Sequence, residues 1–365
     1  MTASATAPVT SVRPSAASSP APRARRKRGR RLGRWLIAIA VLAIALLVGA
    51  MVGPAGLTAR SVLLELVDAL PFVQVDSGLT SQQRAILWQI RLPRVTLGAL
   101  VGATLAISGA SYQGVFRNPL ADPYLLGVSA GAGLGATIAL TQGGSIGNVG
   151  VPVFAFLGGL LAVGATYALG STVGGGHSST VIVLAGVAVA AFFSAIQTFV
   201  QQRFDDSLQA VYSWLLGRLS TNGWSDIWMI LPYVLFSWVV LLLYRRTLDV
   251  LAVGDVETAS LGIDPARVRL ILVLTSTLGT TAAVSVSGLI GFVGIIVPHA
   301  VRLIFGASHR ILLPLSMIFG AAFLVLTDVA ARSLMAPAEL PIGVVTAIVG
   351  APFFLVVLRR GRVSS

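Results

Sequence analysis

This chain of 365 residues holds three histidines, one lysine and no cysteine, a sparse supply of the side chains most used in metal binding, acid–base work or covalent catalysis. His177, His299 and His309 stand far apart, and neither H-E-x-x-H nor G-x-S-x-G occurs. Lys27, the single lysine, lies in a basic stretch near the start, so no Walker A loop with its phosphate-binding lysine can be written. The thirteen acids form no cluster that would hold metal and pyrophosphate, which argues against a membrane transferase. An ion-coupled transporter wants ionisable groups near mid-membrane. Asp328 is one such group, but Arg332 follows four residues on, and that spacing reads as a structural pair near the end of a span. His299, next to Pro298, reads as a packed polar anchor.

Residues 248–269, "LDVLAVGDVETASLGIDPARVR", concentrate four of the thirteen acids between two apolar spans. Asp255 can cap a short helix whose first turn holds Glu257, where acids suit the positive end of the helix dipole. Gly262 is the residue type favoured just past a helix, and Asp264-Pro265 restarts one. The second helix flows through Arg267 and Arg269 into the next span. Two capped starts and an apolar face of Val256, Ala259 and Leu261 describe an ordered docking element, in contrast to a solvated loop. The chain thus reads as a transporter without its own energy source.

The elements that must position this segment are membrane spans. The chain is 55% hydrophobic and 11% charged, against about 25% charged in soluble domains. Apolar runs fall at 35–53, 92–116, 125–141, 151–171, 180–203, 227–244, 268–290, 291–306, 312–331 and 342–358. This predicts an all-α polytopic membrane protein with about ten transmembrane helices, and the runs lack the alternation of a β-barrel. Small residues crowd the spans, as in "GALVGA" from Gly98 and "GAGLG" from Gly131, which suits close helix packing. Residues 1–34 are expected to be a disordered basic cytoplasmic tail, followed by one transmembrane domain over 35–365 that contains the polar segment 248–267. Eight basic residues between Arg23 and Arg34 could bind nucleic acid or anionic lipid. Beside a span they read as a positive-inside anchor, so membrane lipid is the expected neighbour and no nucleic-acid partner is expected. With the N-terminus inside, alternation puts 19 Lys/Arg on the inner side and 7 outside, which supports cytoplasmic N- and C-termini of a multi-pass plasma-membrane protein. Short amphipathic helices are expected outside, capped at Thr58 and at Thr80 or Ser81, with another after Asp205.

Eight stretches, in order, resemble the FecCD-type permeases of ATP-driven importers for ferric siderophores, haem and cobalamin. They are "WQIRLPR" (88–94), "GATLAISGA" (102–110), "RNPLADPYLLGVSAGAG" (117–133), "LAVGDVETASLGI" (251–263), "GFVGIIVPHAVRL" (291–303), "HRILLP" (309–314), "DVAAR" (328–332) and "ELPIGVVTAIVGAPFFL" (339–355). The resemblance implies the type II importer permease fold of the ABC transporters, a homodimer or paired permease, two ATP-binding subunits below and a solute-binding protein above. It assigns ATPase coupling to Leu251, Gly254, Asp255, Glu257, Ala259, Leu261 and Gly262, and binding-protein docking to Arg91, Arg94 and Arg332. Phe192, Phe193, Gln197 and Gln201 are the implied translocation wall, and Ser178, Ser179 and Thr180 the implied inner gate. "RNPLADP" reads as a structural turn, because each proline forces its predecessor out of helical geometry. No catalytic residue, metal site or cofactor is expected on this chain, ATP being bound by its partners. The implied cargo is an iron(III)-siderophore-type chelate, with cobalamin or haem as alternatives. An ion-coupled secondary transporter is the alternative class.

Overall fold

The computed structural model describes residues 22–53, 56–71, 73–142, 147–172, 179–220 and 223–361. Among these residues every regular element is helical. Helix α1 (Pro22–Met51) runs from the basic stretch through the first apolar run without a break. The tail expected to be disordered over 1–34 is therefore helical from Pro22, and residues 1–21 lie outside the described residues. Arginine, lysine, alanine and leucine are good helix formers, and proline is tolerated at a first helical position. Then come α2 (Ala59–Asp68) and α3 (Ser81–Ile86), each opened by a reciprocal cap, at Thr58 and Thr80 respectively. A π-helical turn at Leu87–Arg91 leads directly into α4 (Leu92–Val115). Pro93 has no amide to return to Gln89, which favours such a local change of winding.

The chain continues as α5 (Val128–Thr141), α6 (Gly147–Thr172), α7 (Ser179–Arg203) and the short α8 (Leu208–Leu215). Next are α9 (Ser225–Leu243), α10 (Arg245–Leu251), α11 (Asp255–Ser260) and α12 (Pro265–Ser287), then α13 (Val293–Phe305), α14 (His309–Ser333) and α15 (Ile342–Gly361). A helix lies on each of the ten apolar runs. Among the described residues seven are long and apolar enough to cross a membrane, and α5, α13 and the Ile342–Val357 part of α15 are shorter apolar stretches. At 1.5 Å per residue, thirteen-residue α13 covers only about 20 Å of a hydrocarbon layer about 30 Å thick.

The shortness of α13 follows from a break at 288–292, where Gly288 and Phe292 both take positive φ. Unwound backbone at that depth must be satisfied by protein. It is: Arg218 N donates to Ser287 O at 2.8 Å and Tyr124 Oη to Ile290 O at 3.1 Å, while beside the break Gly343 N donates to Leu216 O at 3.0 Å. The end of α8, the break and the start of α15 therefore form one backbone joint.

Helix α4 is the most enclosed of the long helices and packs on α14, α12 and α13. Glycines set the tightest crossings. A β-carbon at Gly102 of α4 would run into the Gly320 carbonyl of α14, and one at Gly131 of α5 into the Gly158 carbonyl of α6. Helices α1 and α7 are the least enclosed. The bundle has two polar ends. Arg34, Arg117, α10, α11 and the start of α14 meet at one; Arg91, Arg94, α2, α3 and the end of α14 meet at the other.

Candidate functional site

At the first end, the 248–269 segment folds as two short helices and a tight turn. Asp264 accepts from Ala266 N at 2.9 Å and Arg267 N at 3.2 Å, so the expected cap of α12 is present, with Pro265 in the first turn. Gly262 has φ 77°, the left-handed conformation that stops α11. Asp255 does not cap α11, contrary to the sequence expectation. Gly254 occupies the cap position, and the Asp255 carboxylate turns sideways to accept from the guanidinium groups of Arg117 and Arg269. The Arg269 hydrogen bond, joined by Arg117 and opposed by partial burial, holds this carboxyl below its ordinary value of 3.8. Thr258, fully buried, donates to Val250 O at 3.3 Å and stitches α11 to α10.

Asp249 of α10 caps α14 from outside that helix. It accepts from His309 N at 2.6 Å and Ser308 Oγ at 2.9 Å, and lies 2.9 Å from His309 Nδ1. Burial works against its ionisation, yet these hydrogen bonds leave the carboxyl below its ordinary range. An apolar crest faces outward. Val253, Val256 and Leu261 are 71%, 80% and 67% exposed, and Glu257, Ala259 and Gly262 are exposed beside them. Leu251 and Gly254, also expected to couple, are buried behind this crest.

At the other end the structure brings Arg91, Arg94 and Arg332 into one cavity of about 1170 Å³, lined also by Gln82, Glu339 and Pro337. Much of their hydrogen-bonding capacity is already committed. Arg91 Nη1 donates to Ala50 O at 2.9 Å and Met51 O at 2.5 Å. Arg332 donates to Val52 O at 2.8 Å and Gly49 O at 2.7 Å. Two cations thus satisfy the last carbonyls of α1, where the helix dipole favours positive charge. Arg94 donates to Asp328 at 2.8 Å and to Glu339 at 2.9 Å. The expected i,i+4 pair is also there, Arg332 Nε lying 3.3 Å from Asp328. Three cations against two anions leave the cavity with one net positive charge. The Arg94 hydrogen bond holds the Glu339 carboxyl below its ordinary value of 4.5.

The implied wall residues divide. Phe192 is exposed on α7 with Phe193 edge-on beside it at 6.1 Å, and Gln201 is half-buried. Gln197 turns inward against Gly133 of α5. Of the implied gate, Ser178 lies outside the described residues, Ser179 begins α7, and Thr180 is exposed. Among the described residues no group of three His, Asp or Glu is placed to hold a metal ion. Sequence reasoning missed Arg117 and Arg269 as partners of Asp255. The only local signal was that Arg117 opens the "RNPLADP" turn, which does form: Asp122 accepts from Tyr124 N at 2.8 Å, and Asn118 from Leu120 N at 2.9 Å.

Comparison with known proteins adds an independent finding. The sequence profile of the FecCD transport family matches residues 37–360. The cobalamin import system permease protein of Halobacterium salinarum is 41% identical, the match covering 90% of this chain and 96% of the relative. The hemin transport system permease protein of Yersinia pestis is 39% identical over 76% of this chain and 84% of its own. A solved metal-chelate type ABC transporter in an inward-facing conformation superposes with a TM-score of 0.77 at 30% identity, over 89% of this chain and 98% of that one.

Proposed function

The chain belongs to the FecCD transport family, and from that premise we propose that it is the membrane-spanning permease subunit of an ATP-driven importer. One observation carries the energetic part of this reading. The exposed apolar crest of Val253, Val256 and Leu261 sits on a rigid double turn, in a chain whose only lysine cannot serve a nucleotide loop. A separate ATPase subunit docks on that crest. The opposite cavity, positively charged on balance, receives acidic side chains of a solute-binding protein at Arg91, Arg94 and Arg332. Two permeases meet along the sparsely enclosed α7, where Phe192, Phe193 and Gln201 face the path, and Ser178, Ser179 and Thr180 gate its inner mouth. The dimer switches between outward- and inward-open states as the ATPases close and reopen. Both termini lie in the cytoplasm, and the chain itself contributes geometry, not hydrolysis.

The cargo in this reading is a large metal chelate of the iron(III)-siderophore type. A second reading, cobalamin, is favoured by the 41% identity to the Halobacterium salinarum permease across nearly the whole chain. Proteoliposomes holding the permease with its cognate ATPase and binding protein decide both points. ATP-dependent uptake of a radiolabelled ferric hydroxamate supports the first cargo, and uptake of radiolabelled cyanocobalamin the second. Uptake driven by an ion gradient without ATP would overturn the importer reading in favour of a secondary transporter.

A further inference from the structure

Helix α11 has six residues and is far below the length at which a helix holds itself together. Its outer face is uncovered, so its stiffness must come from what grips it behind. Arg117 supplies one grip. Its Nε donates to Leu251 O, at the end of α10, at 2.8 Å, while Nη2 donates to Asp255, the first residue of α11. One guanidinium plane thus spans the corner between α10 and α11. Arg117 is also held at φ 47°, a left-handed backbone that disfavours a side chain, immediately after α4. Arg269 supplies the second grip. It lies in the second turn of α12, its side chain is 17% exposed, and it donates to the same Asp255 oxygen. Helices α4 and α12 are the two most enclosed long helices, and they pack on each other.

We propose that Arg117 and Arg269 are positioning residues that, through Asp255, fasten α11 to the end of α4 and the start of α12 together. A displacement imposed on α11 then moves the centre of the bundle and is not absorbed in the loop. This rests on the importer reading above, and it assigns Asp255 to the inner linkage, separate from the exposed ATPase-facing crest. Two guanidinium groups on one carboxylate oxygen also explain why an acid at that position does not cap its own helix. The arginines act from either side of α11, so losing either leaves α11 fastened to only one of the two central helices, α4 or α12.

The test uses the full permease–ATPase complex in proteoliposomes with binding protein. ATP hydrolysed and radiolabelled cargo taken up are measured on the same vesicles, with ferric hydroxamate and cyanocobalamin as the two probes. In Arg117→Gln and Arg269→Gln the ATPase subunits are expected to remain bound in wild-type ratio. ATP consumed per cargo molecule should rise about fivefold or more, the scale of a typical coupling energy. Arg117→Lys and Arg269→Lys keep a charge opposite Asp255 and should return to within about twofold of wild type, as expected where only a partly exposed ion pair is perturbed. A purely structural role would lower the amount of active complex and leave that ratio unmoved. Should a Gln variant fail to assemble, Asp255→Asn, which keeps the shape and removes the charge, gives the same readout. An unchanged ratio in Asp255→Asn or in both Gln variants overturns the linkage while leaving the importer reading intact. A wild-type complex that takes up neither probe with ATP overturns the importer reading itself.

Discussion

Arg94 of α4 and Asp328 of α14, 234 positions apart, meet through two nitrogens of one guanidinium, Nε at 3.0 Å and Nη2 at 2.8 Å. The Asp328 side chain is 3% exposed, and its other cationic partner, Arg332, approaches only to 3.3 Å. Breaking a buried pair by removing one member leaves a charge without compensation, at about 3–5 kcal/mol. Asp328→Ala should therefore lower the apparent melting temperature of the purified permease strongly. Glu339→Ala removes the other partner of Arg94, which is half-exposed and worth at most about 1 kcal/mol. Equal melting of the two variants in the same detergent would contradict the assignment of Asp328 as the anchor of this end.

The crest on α11 should be dispensable for folding and indispensable for assembly. Val256 is 80% exposed and Leu261 67%, so an aspartate at either position costs the isolated permease little, within about 0.5 kcal/mol. Against an apolar partner surface the same carboxylate must be desolvated, which costs several kcal/mol in an interface. Val256→Asp is expected to melt like wild type and to lose its ATPase subunits on size-exclusion chromatography. Retention of those subunits at wild-type stoichiometry would remove the crest from the interface.

These two ends differ in how far local sequence reveals them. Ten helices follow from hydrophobic length alone, and the caps at Thr58, Thr80 and Asp264 follow from side chains that bond to amides within three residues. The Asp255 linkage could not be read this way. Its partner Arg117 lies 138 positions earlier, and a local rule assigns any acid at a helix start to the cap. The π-helical turn before α4 was hidden for a related reason. Its winding decides where Arg91 and Arg94 point, but Pro93 alone does not say how the chain accommodates a missing amide. Continuous apolar runs likewise concealed the half-length of α13, because the break at 288–292 is itself apolar and is held by the Arg218 backbone amide and the Tyr124 hydroxyl, both distant in sequence.

The ionic links at both ends fix the sign of the acid response. Asp255, Asp249 and Glu339 all have carboxyls held below their ordinary values of 3.8, 3.8 and 4.5. A depressed folded value means stability that is fully present above the unfolded value and lost as pH falls through the folded one. Thermal stability should therefore show no step from these groups between about pH 5 and 8, and should decline below about pH 4. In Asp255→Asn the decline should be shallower. A wild-type loss centred near neutrality would place the controlling group elsewhere.

The glycine crossings should separate substitutions by what a β-carbon meets and not by residue type. At Gly102 the new atom would meet the Gly320 carbonyl and the Leu324 β-carbon, the latter at 2.7 Å, so two backbones of the central helices must part. Helices α4 and α14 pack along much of their length, and a rigid core does not yield locally, so overpacking there costs about 1–3 kcal/mol or more. At Gly164 of α6 nothing lies within 4 Å, and alanine gains up to about 1 kcal/mol of helix propensity. Gly102→Val should consequently yield little folded permease in detergent, Gly102→Ala a lowered melting temperature, and Gly164→Ala an unchanged or raised one. The order of the three, read by melting followed through intrinsic tryptophan fluorescence, is the measurement. A Gly102→Val protein as stable as Gly164→Ala would mean that α4 and α14 do not cross at Gly102 and Gly320.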